Sequence, residues 1–169
     1  MKLLTWGLAF LFCGAALAQA PGQNRIQREV LHELRMLPYY TVFDNIGFRV
    51  DGNTVTLIGQ VTKPTLKNDA EGVVKHIEGV ESVRNEIEVL PVSPMDWQIS
   101  RAVFNAIYRQ PGFEQYGFQA IPQIHIIVKN GHVTLLGYVT NEGDKTRAGM
   151  AANSVPNVFS VDNELQVSK

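Results

Sequence analysis

The chain has 169 residues, 45% of them hydrophobic and 18% charged, with a formal net charge of −1. Residues 21–90 carry 8 basic and 10 acidic side chains and residues 95–169 carry 6 of each, so neither half has the basic excess of a nucleic-acid binder. A single cysteine, Cys13, leaves no disulfide framework, and stability has to come from packed cores.

Lys2 precedes an apolar run from Leu3 to Leu17 that ends in small residues, the layout of a secretory signal over residues 1–18. Ala16-Leu17-Ala18 fits a cleavage site with the cut before Gln19, since a cut after Ala20 would leave Pro21 beyond the scissile bond. Cys13 follows Phe12, where a bacterial lipid-attachment site requires a small residue, so lipidation is not expected. No second apolar segment approaches the ~18 residues needed to span a bilayer. The exported chain is expected to be soluble or peripheral.

Ile26, Val30, Leu34 and Leu37 follow helical spacing, with Arg28, His32 and Arg35 on the other side, and Pro38 ends that helix. Phe48-Arg49-Val50 and Thr54 to Val61 read as strands joined by Asp51-Gly52-Asn53, with Val55, Leu57, Gly59 and Val61 alternating onto one face. Leu66, Ala70, Val73, Val74 and Ile77 mark a second helix that stops near Gly79. Ser82 to Val89 form a last strand. A three-stranded sheet in this order buries one face under two helices and leaves the other open.

The same order recurs. Phe48 to Val89 aligns without a gap with Ile126 to Val167, 78 positions on, and about a third of the aligned residues are identical. The pairs include Val55-Thr56-Leu57 with Val133-Thr134-Leu135, Gly59 with Gly137, Val61-Thr62 with Val139-Thr140, and Asn85-Glu86 with Asn163-Glu164. One module is used twice: residues 24–90, a short proline-containing joint over 91–94, and residues 95–168. Each module is near the lower size limit for a self-sufficient core, so the two are expected to touch. In the joint, Ser93 is placed as an N-cap, Pro94 as the first helical residue and Asp96 in the first turn, where an acid favours the helix dipole.

Gly59 and Gly137 fall on the covered sheet face, where a missing side chain lets a helix approach the strand closely. Asn85 and Asn163 point inward, as amides satisfying nearby backbone groups. Both pairs read as structural. What recurs is Val, Thr, Leu, Gly and Asn rather than catalytic residues. His32, His76, His125 and His132 lack the spacing of a metal site and read as surface or turn residues. Glu86 and Glu88 share a face, but the second copy has Glu164 and Gln166 there. The chain is read as no enzyme, with no metal and no cofactor.

The phrase Val-Thr-Leu-x-Gly-x-Val-Thr, followed by a helix and by Val-x-x-Val-x-Asn-Glu-Ile/Leu-x-Val, occurs at 55–62 with 80–89 and at 133–140 with 158–167. This pattern resembles the BON domain, and two copies behind a signal resemble the dual-BON proteins of the bacterial periplasm. The resemblance implies an α+β fold of helix-strand-strand-helix-strand modules, a periplasmic location, and binding of phospholipid or envelope components in support of envelope integrity or osmotic stress. The second copy departs from the pattern by an insertion over Gly112 to Gln123.

The copies differ in one helix. Ile99, Val103, Ala106 and Ile107 make a core stripe, yet Trp97, Phe104 and Tyr108 line up on roughly the opposite side with Arg101 among them; a helix apolar on two sides has two things to pack against. Phe113, Tyr116 and Phe118 continue the aromatic enrichment. One reading is a surface that enters a headgroup layer, with Arg101 and Arg109 near phosphates and Phe113 beside them, the partner being anionic phospholipid. The other is packing against the first module or under the insertion. An envelope protein is a further candidate partner, and a soluble chaperone-like role on client polypeptides is the alternative of a different class. On the open sheet face the second module shows Ile127, Leu136 and Tyr138 where the first has Arg49, Ile58 and Gln60, which points to domain-domain or homodimer contact.

Overall fold

A computed structural model of the chain describes residues 21–117 and 123–168; the expected signal over 1–18 and Phe118 lie outside them. The first module runs α1 (Pro21–Arg35), β1 (Asn45–Asp51), β2 (Thr54–Val61), α2 (Pro64–Lys75), β3 (Ser82–Asn85) and β4 (Glu88–Val89). The second runs α3 (Pro94–Tyr108), α4 (Glu114–Gly117), β5 (Ile124–Lys129), β6 (His132–Val139), α5 (Glu142–Asn153), β7 (Ser160–Asn163) and β8 (Gln166–Val167).

In each module the middle strand of the chain order is also the centre of the sheet. β2 pairs antiparallel with β1 and parallel with β3 and β4, which lie in line along its other edge, and β6 does the same with β5, β7 and β8. Ile26, Val30 and Leu34 of α1 and Leu66, Ala70 and Val74 of α2 are buried against Val55, Leu57 and Val61 of β2. Ile99, Val103 and Ile107 of α3 and Ala148 and Ala152 of α5 are buried against Val133, Leu135 and Val139. The β1–β2 hairpin turns at Gly52-Asn53 and the β5–β6 hairpin at Asn130-Gly131. Asn130 has φ 53° and Gly131 φ 79°, positive at both central residues as a type I′ turn requires.

The last strand of each module is broken, where the sequence pattern reads one strand from Ser82 to Val89. Gly59 has φ +121° and Gly137 φ +112°, and each lies across from the gap between the two strand pieces. A residue in that region turns its peptide out of the ladder, and the asparagine that ends β3 or β7 spans the gap. Asn85 Oδ1 accepts from the Ile87 N–H (3.3 Å) while its amide donates to the Lys67 carbonyl (2.9 Å) and Glu71 (3.0 Å) on α2. Asn163 repeats this with Leu165 (3.4 Å) and Lys145 (2.7 Å). The two asparagines therefore do satisfy backbone groups.

The glycines exclude a side chain for a different reason from the one expected. A Cβ on Gly59 would lie 2.1 Å from the Asn45 carbonyl oxygen, and one on Gly137 would lie 1.9 Å from that of Gln123. What approaches is the neighbouring strand's own backbone, not a helix. The close helix approach in module 2 is at Gly149 on α5, where a Cβ would come within 2.7 Å of the Asn163 amide nitrogen.

The two modules meet through the loop between α1 and β1. The Val42 carbonyl accepts from the Ile126 N–H at 2.8 Å, covering the outer edge of β5, and the Val42 side chain is buried in the core cluster of module 2. Asp44, fully buried, holds this loop in shape. One carboxylate oxygen accepts from the N–H and hydroxyl of Thr41, at 3.0 and 2.7 Å, and the other from those of Thr62, at 2.7 and 2.8 Å. In module 2 the Thr62 equivalent, Thr140, instead donates its N–H to the Tyr116 hydroxyl at 3.1 Å, which in turn donates to Asp144. The first part of the insertion, up to Gly117, thus turns inward: Phe113 and Tyr116 are both buried in the module 2 core.

Candidate functional site

α3 starts at a cap formed by local sequence. Ser93 Oγ accepts from the Asp96 N–H at 3.1 Å and Pro94 opens the helix, where its missing N–H costs nothing. Asp96 sits in the first turn as expected but does more than complement the dipole. Its carboxylate is buried and accepts from the N–H groups of Asn130 (3.0 Å) and Gly131 (2.8 Å) at the tip of the β5–β6 hairpin. The Phe159 N–H donates to the Gly131 carbonyl at 2.9 Å, and a Cβ on Gly131 would lie 2.5 Å from the Phe159 ring. Glycine is the residue this turn can take.

The second apolar side of α3 divides into a packed part and an exposed part. Phe43, from the module 1 loop, sits edge-on to Trp97 at 5.2 Å between ring centroids and to Phe104 at 6.1 Å. Phe104 in turn lies 4.7 Å from the Tyr108 ring. Tyr108 donates its hydroxyl to the Ile124 carbonyl at 2.8 Å, and burial pushes its pKa up. Phe104 and Tyr108 are therefore part of the packing between the modules and within module 2. Phe113 is 0% exposed, with the Arg147 guanidinium 4.8 Å from its ring centroid; it is a core residue and cannot belong to a surface, which corrects the grouping read from the sequence.

Trp97 remains half in water, at 50% exposure, beside Val92, which is 98% exposed, and Met95 in the first turn of the same helix is 52% exposed. Arg101, one turn further along the helix, and Arg109, the cap at its far end, are exposed, and neither forms an ion pair among the described residues. Since Asp96, the only acid of α3, is turned inward, the exposed charge of this helix is positive. Sequence reasoning found Trp97, Arg101 and Arg109 but passed over Val92 and Met95. The available signal was a pair of apolar residues around Pro94 that neither module's core periodicity accounts for.

His125 is the one histidine whose position differs from the surface or turn placement expected; His32, His76 and His132 are exposed. It lies on β5 at the junction, with Nδ1 2.6 Å from the Asp44 carbonyl and its ring stacked on Tyr40 at 5.7 Å. Burial depresses its pKa, against the opposing influence of the Asp44 carbonyl. On the open sheet face, Ile127 is buried and lines a crevice with Leu90 and Glu88 of module 1, which pairs with Lys129. Domain-domain contact thus covers part of the face expected to be adhesive, while Tyr138 stays exposed.

A family model described as the BON domain matches residues 23–91 and again residues 96–169. The chain belongs to that family, and its two modules are tandem BON domains. It is also similar to the outer membrane lipoprotein DolP of Haemophilus influenzae, 31% identical over 115 residues that cover 68% of this chain and 57% of that protein. The match thus spans little more than half of that relative's length. Among solved structures, the C-terminal domain of CdsD, the structural protein of the type III secretion system of Chlamydia trachomatis, superposes with a TM-score of 0.34 at 15% identity, covering 84% of this chain and 96% of that one. A second CdsD structure gives 0.31, also at 15% identity, covering 86% and 94%. Superpositions this loose carry no weight for the fold.

Proposed function

We propose that this dual BON-domain protein is a non-catalytic component of the bacterial envelope that sits peripherally on anionic phospholipid through the exposed N-terminal part of α3. The observation that carries this reading is the combination there of exposed Val92 and Met95 and half-exposed Trp97 with Arg101, while the helix's one acid is consumed by the Asn130-Gly131 turn and Arg109 adds a second cation at the far end of the helix. Indole rings favour the headgroup layer, where the body is buried and the N–H stays wet. Two arginines at about 1 kcal/mol each do not hold a protein on a bilayer, so the apolar side chains carry the larger share.

Two facts support the envelope setting: the sequence over residues 1–18 has the pattern of a secretory signal, and a relative is by name an outer membrane lipoprotein. Among the described residues no helix is long and apolar enough to cross a membrane. The protein is read as periplasmic, supporting envelope integrity or the response to osmotic stress, with an envelope protein or a second copy docking on the uncovered part of the module 2 sheet around Tyr138. Flotation with phosphatidylglycerol vesicles tests the lipid reading. Wild-type protein is expected to float and Trp97→Ser to remain at the bottom. Failure of the wild type to float, together with suppression of client aggregation, would replace it with the chaperone-like alternative.

A further inference from the structure

Beside Trp97 the two modules form a half-open pocket of about 190 Å³, whose apolar lining is Phe43 and Leu90 of module 1, Pro91 and Val92 of the joint, and Trp97, Ile126 and Val128 of module 2, with Thr62, Ser93, Asp96 and Ser100 completing the wall. Its size is that of a small-molecule cavity: an apolar cavity of about 150 Å³ stays dry and holds benzene. The polar groups at its wall already have partners. Asp96 is bonded to Asn130 and Gly131, Ser93 Oγ accepts from the Asp96 N–H, Ser100 Oγ donates to the Asp96 carbonyl at 2.9 Å, and Thr62 is bonded to Asp44. The Ser93 hydroxyl and the Trp97 N–H keep a donor without a partner among the described residues, but most of the lining is apolar side chain, so the part of the guest that enters has to be chiefly apolar.

The mouth adds a second constraint. Val92 and Trp97 belong both to the lining and to the exposed apolar surface, and Arg101 stands one helical turn beyond Trp97 without an acidic partner among the described residues. A ligand reaching inward from this mouth is apolar at one end and meets a cation at the other. Taking a methylene to be about the size of a water, roughly 30 Å³, the pocket takes on the order of six chain carbons. A leucine-sized side chain would fill little more than half of it.

We propose that this junction pocket takes the end of one unbranched hydrocarbon chain of an anionic amphiphile, with the head group held outside beside Arg101. The site rests on the lipid reading of α3 but differs from surface adsorption, because it has a depth. Since Phe43 and Leu90 come from one module and Ile126 and Val128 from the other, it exists only while the two are docked. An occupied pocket therefore stabilises the docked pair, as any ligand specific to one state does.

The test uses the mature chain from Gln19, whose sole tryptophan is Trp97, and monomeric n-alkyl phosphates of four to twelve carbons as probes. Affinity read from Trp97 fluorescence should rise roughly fourfold per added carbon, the equivalent of ~0.8 kcal/mol per buried methylene, and level off near six carbons. An ω-bromo eight-carbon alkyl phosphate should quench Trp97. In Ser100→Met, which fills the pocket, the dependence on chain length should be lost while an urea midpoint shows whether the fold is retained. Affinity in the wild type that is flat from the first carbon, or that climbs without a break to twelve, would overturn the pocket. Continued flotation on phosphatidylglycerol vesicles in that case would leave the surface reading standing, whereas loss of flotation with an intact chain-length break would remove the surface reading alone.

Discussion

The carbonyl of Val42 and the N–H of Ile126, one in each module, share a hydrogen bond of 2.8 Å on the otherwise open edge of β5. An edge strand left bare presents unpaired peptide groups to any extended chain. Here a loop of the first domain occupies that edge, placing Phe43 against Trp97 and Phe104 and Asp44 against His125.

Truncating Phe43 should loosen the pair without unfolding either module. For a half-buried ring, Phe43→Ala is expected to cost about 2 kcal/mol, below the ~3–5 typical of a fully buried phenylalanine. Urea denaturation followed by Trp97 fluorescence should show the module 2 transition at a lower midpoint. An unchanged midpoint would mean the ring contributes nothing to docking.

Gly137→Ala should destabilise more than an ordinary core insertion. The added Cβ would lie 1.9 Å from a backbone oxygen at φ +112°, so neither a rotamer change nor a side-chain shift relieves it. About 3 kcal/mol or more is expected, at or above the upper end of typical overpacking, and Gly59→Ala should behave alike. A loss below ~1 kcal/mol in thermal or chemical denaturation would contradict the geometry.

Trp97 and Tyr108 should separate cleanly. Trp97→Ser removes a side chain half in water and is expected to abolish vesicle flotation at a modest stability cost from the lost Phe43 contact. Tyr108→Phe removes the hydrogen bond to Ile124 and should cost about 1 kcal/mol with flotation unchanged. The wild-type tryptophan emission should shift to the blue on adding anionic vesicles. If Tyr108→Phe abolished flotation at unaltered stability, the division of the aromatic stripe would be wrong.

Acidification should weaken the junction through His125. Its folded pKa lies below the ordinary value of about 6.5 because burial disfavours the charged ring. The unfolded chain then binds more protons in the interval between the two values, and stability rises with pH across it. The contribution is complete above the unfolded pKa and is lost as pH falls through the folded one. His125→Asn, which retains a donor for the Asp44 carbonyl but does not titrate, should show a shallower slope of stability between pH 7 and pH 5. An equal slope would place the titration elsewhere.

Much of each module could be read from residue order because its determinants are local or repeated. Ile26, Val30 and Leu34 declare a helix by spacing alone, Val55, Leu57 and Val61 a strand by alternation, and the paired copies corroborate each other. The repeat also marked Gly59 with Gly137 and Asn85 with Asn163 as structural positions, though not the neighbour that requires the glycines: a sequence shows where a side chain is absent but not whether a helix or a strand carbonyl fills the space. The junction was hidden for another reason. Val42 and Phe43 follow no periodicity, and their partners lie more than 50 residues away in the chain. Asp96 looked like an ordinary helix-start acid because its bonds to Asn130 and Gly131 connect elements whose proximity only the fold creates. Phe113 looked like a surface aromatic because an insertion gives no register from which to infer a side.

Tyr116 gives the tandem a direction. In the first domain a buried carboxylate shapes the segment before β1 so that it reaches outward to a neighbour; in the second, the corresponding anchoring is done by a phenol drawn into that domain's own interior. The donor of the docking arm and its receiver are therefore not interchangeable, although they arose as copies of one unit. The arm that reaches the edge of β5 belongs to the first domain, so exchanging the order of the two halves is expected to weaken their docking by separating Val42 from Ile126.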